Sequence, residues 1–136
     1  MRREMFAQEM TVLRDTFRRL MRRHATSNLS KLIQKTHPAD LATVYRFFSD
    51  QEQIVLFQLM PPSEETAEFL SELDESTLIK LLESEEPQRI ANIIREDSSN
   101  IKAHILGVLP EELADKVIER LQAEEKAEVE EILAYP

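Results

Sequence analysis

The side chains of this sequence that could do chemistry are mostly carboxylates: 26 Asp and Glu stand against 17 Lys and Arg, with three histidines and no cysteine. Carboxylates can hold hard divalent cations through oxygen, work in pairs as general acid and base, or attract a basic partner. The histidines, His24, His37 and His104, lie in separate segments. No two of them have the i, i+4 spacing that puts two imidazoles on one helix face for a metal. His37 precedes Pro38 and reads as a helix-cap residue rather than a ligand, and His104, beside Ile105, reads as partly packed. Without cysteine there are no disulfides, no thiol catalysis and no thiolate-bound zinc, which fits a reducing compartment. One glycine, Gly107, cannot build a glycine-rich phosphate loop. No serine stands in a recognisable arrangement with a base and oxyanion donors. Paired carboxylates without a pocket signature do not make an acid–base catalyst, so the sequence supports no enzyme.

The charge is divided along the chain. Residues 1–36 carry nine Lys/Arg against Glu4, Glu9 and Asp15, a balance of +6, and residues 37–136 carry eight against 23 acids, a balance of −15. The acidic part lacks the basic footprint that phosphate binding requires, so no nucleic acid is expected on it. It can concentrate divalent cations or draw a basic partner.

What must position these carboxylates is a repeat. Segments starting at Pro38, Asp50, Pro62, Asp74, Glu86, Ser98, Pro110 and Gln122 are 12 residues apart. Seven residues into each stands an apolar side chain: Tyr45, Phe57, Phe69, Leu81, Ile93, Ile105, Val117 and Val129. With 42% of the chain hydrophobic, eight hits in eight rows have a chance probability of about one in a thousand before the choice of register. Each row opens on or beside a turn or cap residue and then has room for two to three helical turns. Helices this short must stack to bury their apolar faces. Proline near alternate starts (Pro38, Pro62, Pro87, Pro110) and polar caps at the others (Ser49-Asp50, Leu73-Asp74, Ser98-Ser99-Asn100) suggest a 24-residue period. The expected architecture is all-α: a stack of short helices with about 12 residues per helix, an α-solenoid of about four hairpins.

Before the repeat, Phe6, Met10, Leu13, Phe17 and Leu20 step by four and three, with Met21 beside them, which makes one stripe of a helix from Glu4 to His24. Arg14, Arg18, Arg19, Arg22 and Arg23 gather in its C-terminal half, where the helix dipole favours cations. Two readings stand: the stripe docks on the first repeat unit as a cap, or the helix is a basic amphipathic element for an anionic membrane surface, RNA or a partner groove. Ser27 or Asn28 is expected to cap the next short helix. Phe47, Phe48, Ile54, Val55, Leu56 and Phe57 are expected to hold the bulk of the core. Pro62 and Pro110 each read as opening a first turn with the carboxylates that follow them. The glutamates of the last row, Glu124, Glu125, Glu128, Glu130 and Glu131, read as a solvated face. The end at Tyr135-Pro136, directly after a helical row, reads as a cut at a domain edge.

Several runs carry a family resemblance. His37-Pro38-Ala39-Asp40-Leu41-Ala42 is similar to the start of the cytoplasmic N-terminal domain of MgtE magnesium transporters. Leu56–Pro61, Leu70–Asp74 and Leu109–Ala114 resemble that domain's repeats, and Glu131–Pro136 looks like its junction to a CBS pair. The resemblance implies a right-handed superhelix over residues 29–136; the basic amphipathic helix, residues 1–28, precedes it and is read from its own residues. It also implies a place on the cytoplasmic face of the inner membrane. The CBS domains and transmembrane domain of the same full-length chain would be its partners, in a homodimer. In that family this domain and the CBS pair close on Mg²⁺ held by carboxylates, which favours the closed pore. Glu68 aligns with one acidic position of that cluster; where family members place two later aspartates, this chain has Ser99 and Ala103. The resemblance therefore implies weak Mg²⁺ binding, shared with a CBS domain. The alternative is a non-enzymatic interaction solenoid, like the related units of the flagellar motor-switch protein FliG or like this domain type on CBS proteins without a pore.

Overall fold

Each row becomes a separate helix where its first residues can stop one helix and start another. The computed structural model describes the backbone of residues 2–95 and 97–134, and the side chains of those residues apart from 2–6, 99, 126, 128 and 129. The helices are α1 (Arg2–Arg22), α2 (Thr26–Lys35), α3 (Pro38–Tyr45), α4 (Asp50–Gln58), α5 (Glu64–Glu72), α6 (Glu75–Glu83), α7 (Pro87–Ile94), α8 (Ser99–Val108) and α9 (Glu111–Ala134). No strand occurs among the described residues.

The starts follow the expected chemistry. Ser49 caps α4 in a full capping box: its hydroxyl accepts from the Glu52 amide, and the Glu52 carboxylate accepts from the Ser49 amide. Asp74 caps α6 and Ser98 caps α8, each accepting an otherwise orphaned amide. His37 is the N-cap of α3, its Nδ1 accepting from the Ala39 amide at 3.1 Å, with Pro38 in the first turn. Pro87 takes the same place in α7.

Three starts differ from expectation. Pro62 lies outside α5, because Ser63 takes the N-cap and accepts from the Thr66 amide, while the Thr66 hydroxyl donates to the Pro61 carbonyl. Pro110 lies before the first residue of α9 and accepts the Ala114 amide on its carbonyl. Ser27 and Asn28 are not caps but lie inside α2, which begins one residue after Ala25. The break comes earlier, from His24, whose φ of 53° is left-handed. Its amide bonds to the Met21 carbonyl and that of Ala25 to the Leu20 carbonyl, the paired bonds of a Schellman ending. Histidine tolerates the left-handed region better than most residues.

The eighth row forms no helix of its own. From Leu121 to Ala127 every residue favours a helix and none caps or breaks one, so α9 runs straight through Gln122.

The packing supports the 24-residue period. Helices α3, α5, α7 and α9, whose rows hold the recurring prolines, contact one another in succession, and α4 contacts α6. The repeat column lines the core: Tyr45, Phe57, Phe69, Leu81, Ile93, Ile105 and Val117 are all at most 2% exposed. Val129 lies outside the described side chains. Each such burial contributes about 1.5–3 kcal/mol. Tyr45 and Gln53 are joined reciprocally, the tyrosine hydroxyl donating to the Gln53 backbone carbonyl and the Gln53 side-chain Nε2 to the Tyr45 carbonyl. Burial pushes the Tyr45 hydroxyl pKa far above its ordinary value, so it stays a proton donor.

Helix α1 packs on α2 and α3, with Met10 and Phe17 in the same core and the Phe17 ring edge-on to Phe48. Phe6 lies outside the described side chains. In the aromatic stretch Phe48, Leu56 and Phe57 are buried and Ile54 is partly so, but Phe47 and Val55 face solvent. The turn after α3 points only one of its two adjacent phenylalanines inward.

Candidate functional site

Helix α5 is the centre of the stack, touching α3, α7 and α8. Its inner face is sealed: Thr66, Ala67, Phe69 and Leu70 are buried. Packing on three sides therefore fixes the direction of its outer face, which carries Glu64, Glu68 and Glu72 at helical spacing of four, all exposed. Glu68 has no ion-pair or hydrogen-bond partner for its carboxylate among the described residues. On the neighbouring α8, Asn100 and Ala103 are exposed, and the Ser99 side chain lies outside the description. His104 is exposed, against the expectation of partial packing: Ile105 takes the inward position of α8 and leaves the histidine on the outside.

No group of three or more His, Asp and Glu that could hold a metal occurs among the described residues. Mg²⁺ commonly binds through one or two carboxylates and keeps several of its waters. Glu68, with Glu64 and Glu72 one turn to either side, can serve as one ligand of a cation but does not make a site alone.

Some of the other carboxylates are engaged in structure. Glu85 pairs with Arg89 at 2.8 Å, and that guanidinium donates to the Phe57 and Met60 carbonyls at 2.8 and 3.1 Å while stacking over the Phe57 ring. Glu124 corrects the expectation of a wholly solvated last row. It is partly buried, accepts from Gln88 and pairs with Arg95 at 3.3 Å, tying α9 to α7. Glu125, Glu130 and Glu131 are exposed, and Glu128 lies outside the described side chains. The Asp74 carboxyl is held below its ordinary pKa by hydrogen bonds from the Ser76 and Thr77 side chains.

Two grooves lie toward the N-terminal end. One of about 310 Å³ is lined by Ile33, Pro38, Leu41, Met60, Thr66 and Phe69, between α2, α3 and α5. The other, of about 370 Å³, runs between α1 and α4 and has Arg18, Arg22 and His24 on one side and Val55 and Leu59 on the other. Arg18 donates to the Phe47 carbonyl, and the Arg14 guanidinium lies 5.4 Å from the centre of the Phe47 ring. This basic and apolar face was not legible as a unit, because Phe47 and Val55 are remote in sequence from α1 and read as core. No helix among the described residues is long and apolar enough to cross a membrane.

Comparison with known proteins gives two findings. The model of the MgtE intracellular N domain matches residues 36–136. Among solved structures, the soluble part of a magnesium transporter superposes with a TM-score of 0.72 at 18% identity, over 93% of this chain and 50% of that one. At that identity the likeness shows the fold, and this chain spans half the length of its structural neighbour. No curated protein sequence matches.

Proposed function

Because the chain belongs to the MgtE intracellular N domain family, we propose that it is the magnesium-responsive regulatory domain of a magnesium transporter. It acts without catalysis, from the cytoplasmic face of the inner membrane. The observation that carries this reading is Glu68, an exposed carboxylate without a partner on the most firmly packed helix of a family member's fold. It is one ligand looking for others. In the proposed mechanism the α5 face meets CBS domains, whose carboxylates complete the coordination of Mg²⁺. Without the cation, carboxylates facing each other across the joint repel and hold it open. With the cation, the joint closes and the attached pore is biased shut. The response is thus a change in domain packing, and the ion is its ligand rather than its substrate at this site.

The reading is tested by supplying a CBS pair of the same transporter as a separate protein. Association is expected in Mg²⁺ and not in EDTA, and Glu68→Gln should weaken it about tenfold, equivalent to about 1.4 kcal/mol. Association indifferent to both Mg²⁺ and Glu68 would favour the alternative, an interaction solenoid that uses the apolar groove beside Phe69.

A further inference from the structure

The arginines of α1 divide into two sets. Arg14 and Arg18 are held at the α3–α4 corner: Arg14 pairs with Asp15 at 3.1 Å and lies over Phe47, and Arg18 donates to the Phe47 carbonyl and lies over Phe48. Arg19, Arg22 and Arg23 are exposed and make no side-chain hydrogen bond or ion pair among the described residues. At 3.6 residues per turn Arg19, Arg22 and Arg23 lie on the side of α1 opposite the buried Met10 and Phe17, while Arg14 and Arg18 flank the buried side toward the α3–α4 corner. Beside them stand two large apolar side chains left in water, Phe47 at 48% and Val55 at 44% exposure.

We propose that this arginine face of α1, with Phe47 and Val55 beside it, docks on an anionic phospholipid surface. The combination is what such a surface selects: several cations for the headgroups and a few apolar side chains for the interface. Because the stripe of α1 is buried in the core, the helix does not insert; it presents its polar back and the corner carries the apolar contact. The nearby acids are engaged, Asp15 by Arg14 and Glu52 in the cap of α4.

The net charge of −9 does not prevent docking, because screening is local. The acidic helix α9 packs chiefly on α7, whereas α1 packs chiefly on α2 and α3. Charges not in contact with the arginines are weakened by screening over a Debye length of about 8 Å in physiological salt. The proposal rests on the transporter reading in one respect: a chain tied to a pore meets the bilayer at high effective concentration, which makes a weak contact sufficient.

The test uses the whole 136-residue chain and sedimentation with vesicles in EDTA, so it reads nothing about magnesium. Phosphatidylcholine vesicles with about 30% phosphatidylglycerol should bind it in about 0.05 M NaCl and release it in about 0.3 M. Replacing Arg19, Arg22 and Arg23 by Gln should weaken binding about 100-fold, at about fivefold per arginine. The circular dichroism of the triple variant should be unchanged and its melting lowered by no more than a few degrees, since those side chains make no hydrogen bond or ion pair among the described residues and lose only their interaction with the helix dipole. Phe47→Ser with Val55→Ser should weaken binding without changing its salt dependence. The proposal is overturned if anionic vesicles do not bind the chain, if the triple variant binds equally, or if pure phosphatidylcholine binds as well. Binding to polyuridylate RNA with none to vesicles would also overturn it.

Discussion

Ile105 in α8 and Ile132 in α9 are the same residue in the same kind of helix, yet one is 0% exposed and the other 70%. The apolar spacing continues past α8 and through α9, to Val117 and then Val129. Between the rows of α3 to α8, however, the chain breaks each time, at Phe48-Ser49, Pro61-Pro62, Leu73-Asp74, Glu86-Pro87 and Ser98. Each break redirects the chain, so that a helix packs chiefly on the one two places before it, α5 on α3, α6 on α4 and α7 on α5. The distal half of α9 has no break, leaves the stack and keeps Ile132 and Leu133 in water. A repeat unit is therefore made by its ends as much as by its apolar column.

The largest expected effect breaks the comparison at the column. Ile93→Asp or Ile105→Asp buries an unpaired carboxylate and should cost about 4 kcal/mol or more, whereas Ile132→Asp should stay within about 0.5 kcal/mol. Urea denaturation of the three variants measures this, and equal midpoints would remove the distinction between stack and extension. Next comes the other end of the molecule, where α1 does find a partner. Phe17 is fully buried against Phe48, so Phe17→Ala should cost about 3–5 kcal/mol. A loss under about 1 kcal/mol would mean that α1 is not part of the cooperative core.

Smaller effects sharpen the role of the ends. Ser49→Ala removes half of a capping box and should cost about 1 kcal/mol, while Ser27→Ala, inside α2 and bonded to no amide, should cost a few tenths. The smallest is a pH effect at Asp74. Its folded pKa is lowered, so its contribution is present above the unfolded carboxylate value and is lost as pH falls through the folded value. Asp74→Asn should therefore remove a little stability at neutral pH and flatten the acid limb of the melting curve below about pH 4.

Much of this was legible in the sequence because it depends on neighbours along the chain. Caps at Ser49, Asp74 and Ser98, the His37-Pro38 start and the column itself are all set by residues within one or two helical turns. The illegible parts depend on what comes from elsewhere. Phe47 and Phe48 are adjacent and identical in type, and only the direction of the turn decides which one meets Phe17. Glu124 reads as one acid among many until α7 brings Arg95 and Gln88 to it. The end of α1 was legible to within two residues, but its mechanism was not, because it rests on a left-handed histidine where a glycine would have signalled it. At the candidate site the family resemblance points to Glu68, and the structure adds that it stands with Glu64 and Glu72 on the exposed face of α5 with no partner for its carboxylate among the described residues.

The proposed need of Glu68 for ligands from another domain is the centre of the functional account, and thermal melting in magnesium tests it most directly. If Glu68 is one ligand of a shared site, this chain alone should bind Mg²⁺ at millimolar affinity at best. At a concentration equal to Kd, binding stabilises by about 0.4 kcal/mol, which corresponds to about 1–3 °C. The melts compare about 10 mM MgCl₂ with NaCl of equal ionic strength, for the native chain and for Glu68→Gln. The account predicts a shift of no more than about 3 °C in the native chain. A shift above about 5 °C that disappears in Glu68→Gln would show a site already complete in this domain and would contradict the account.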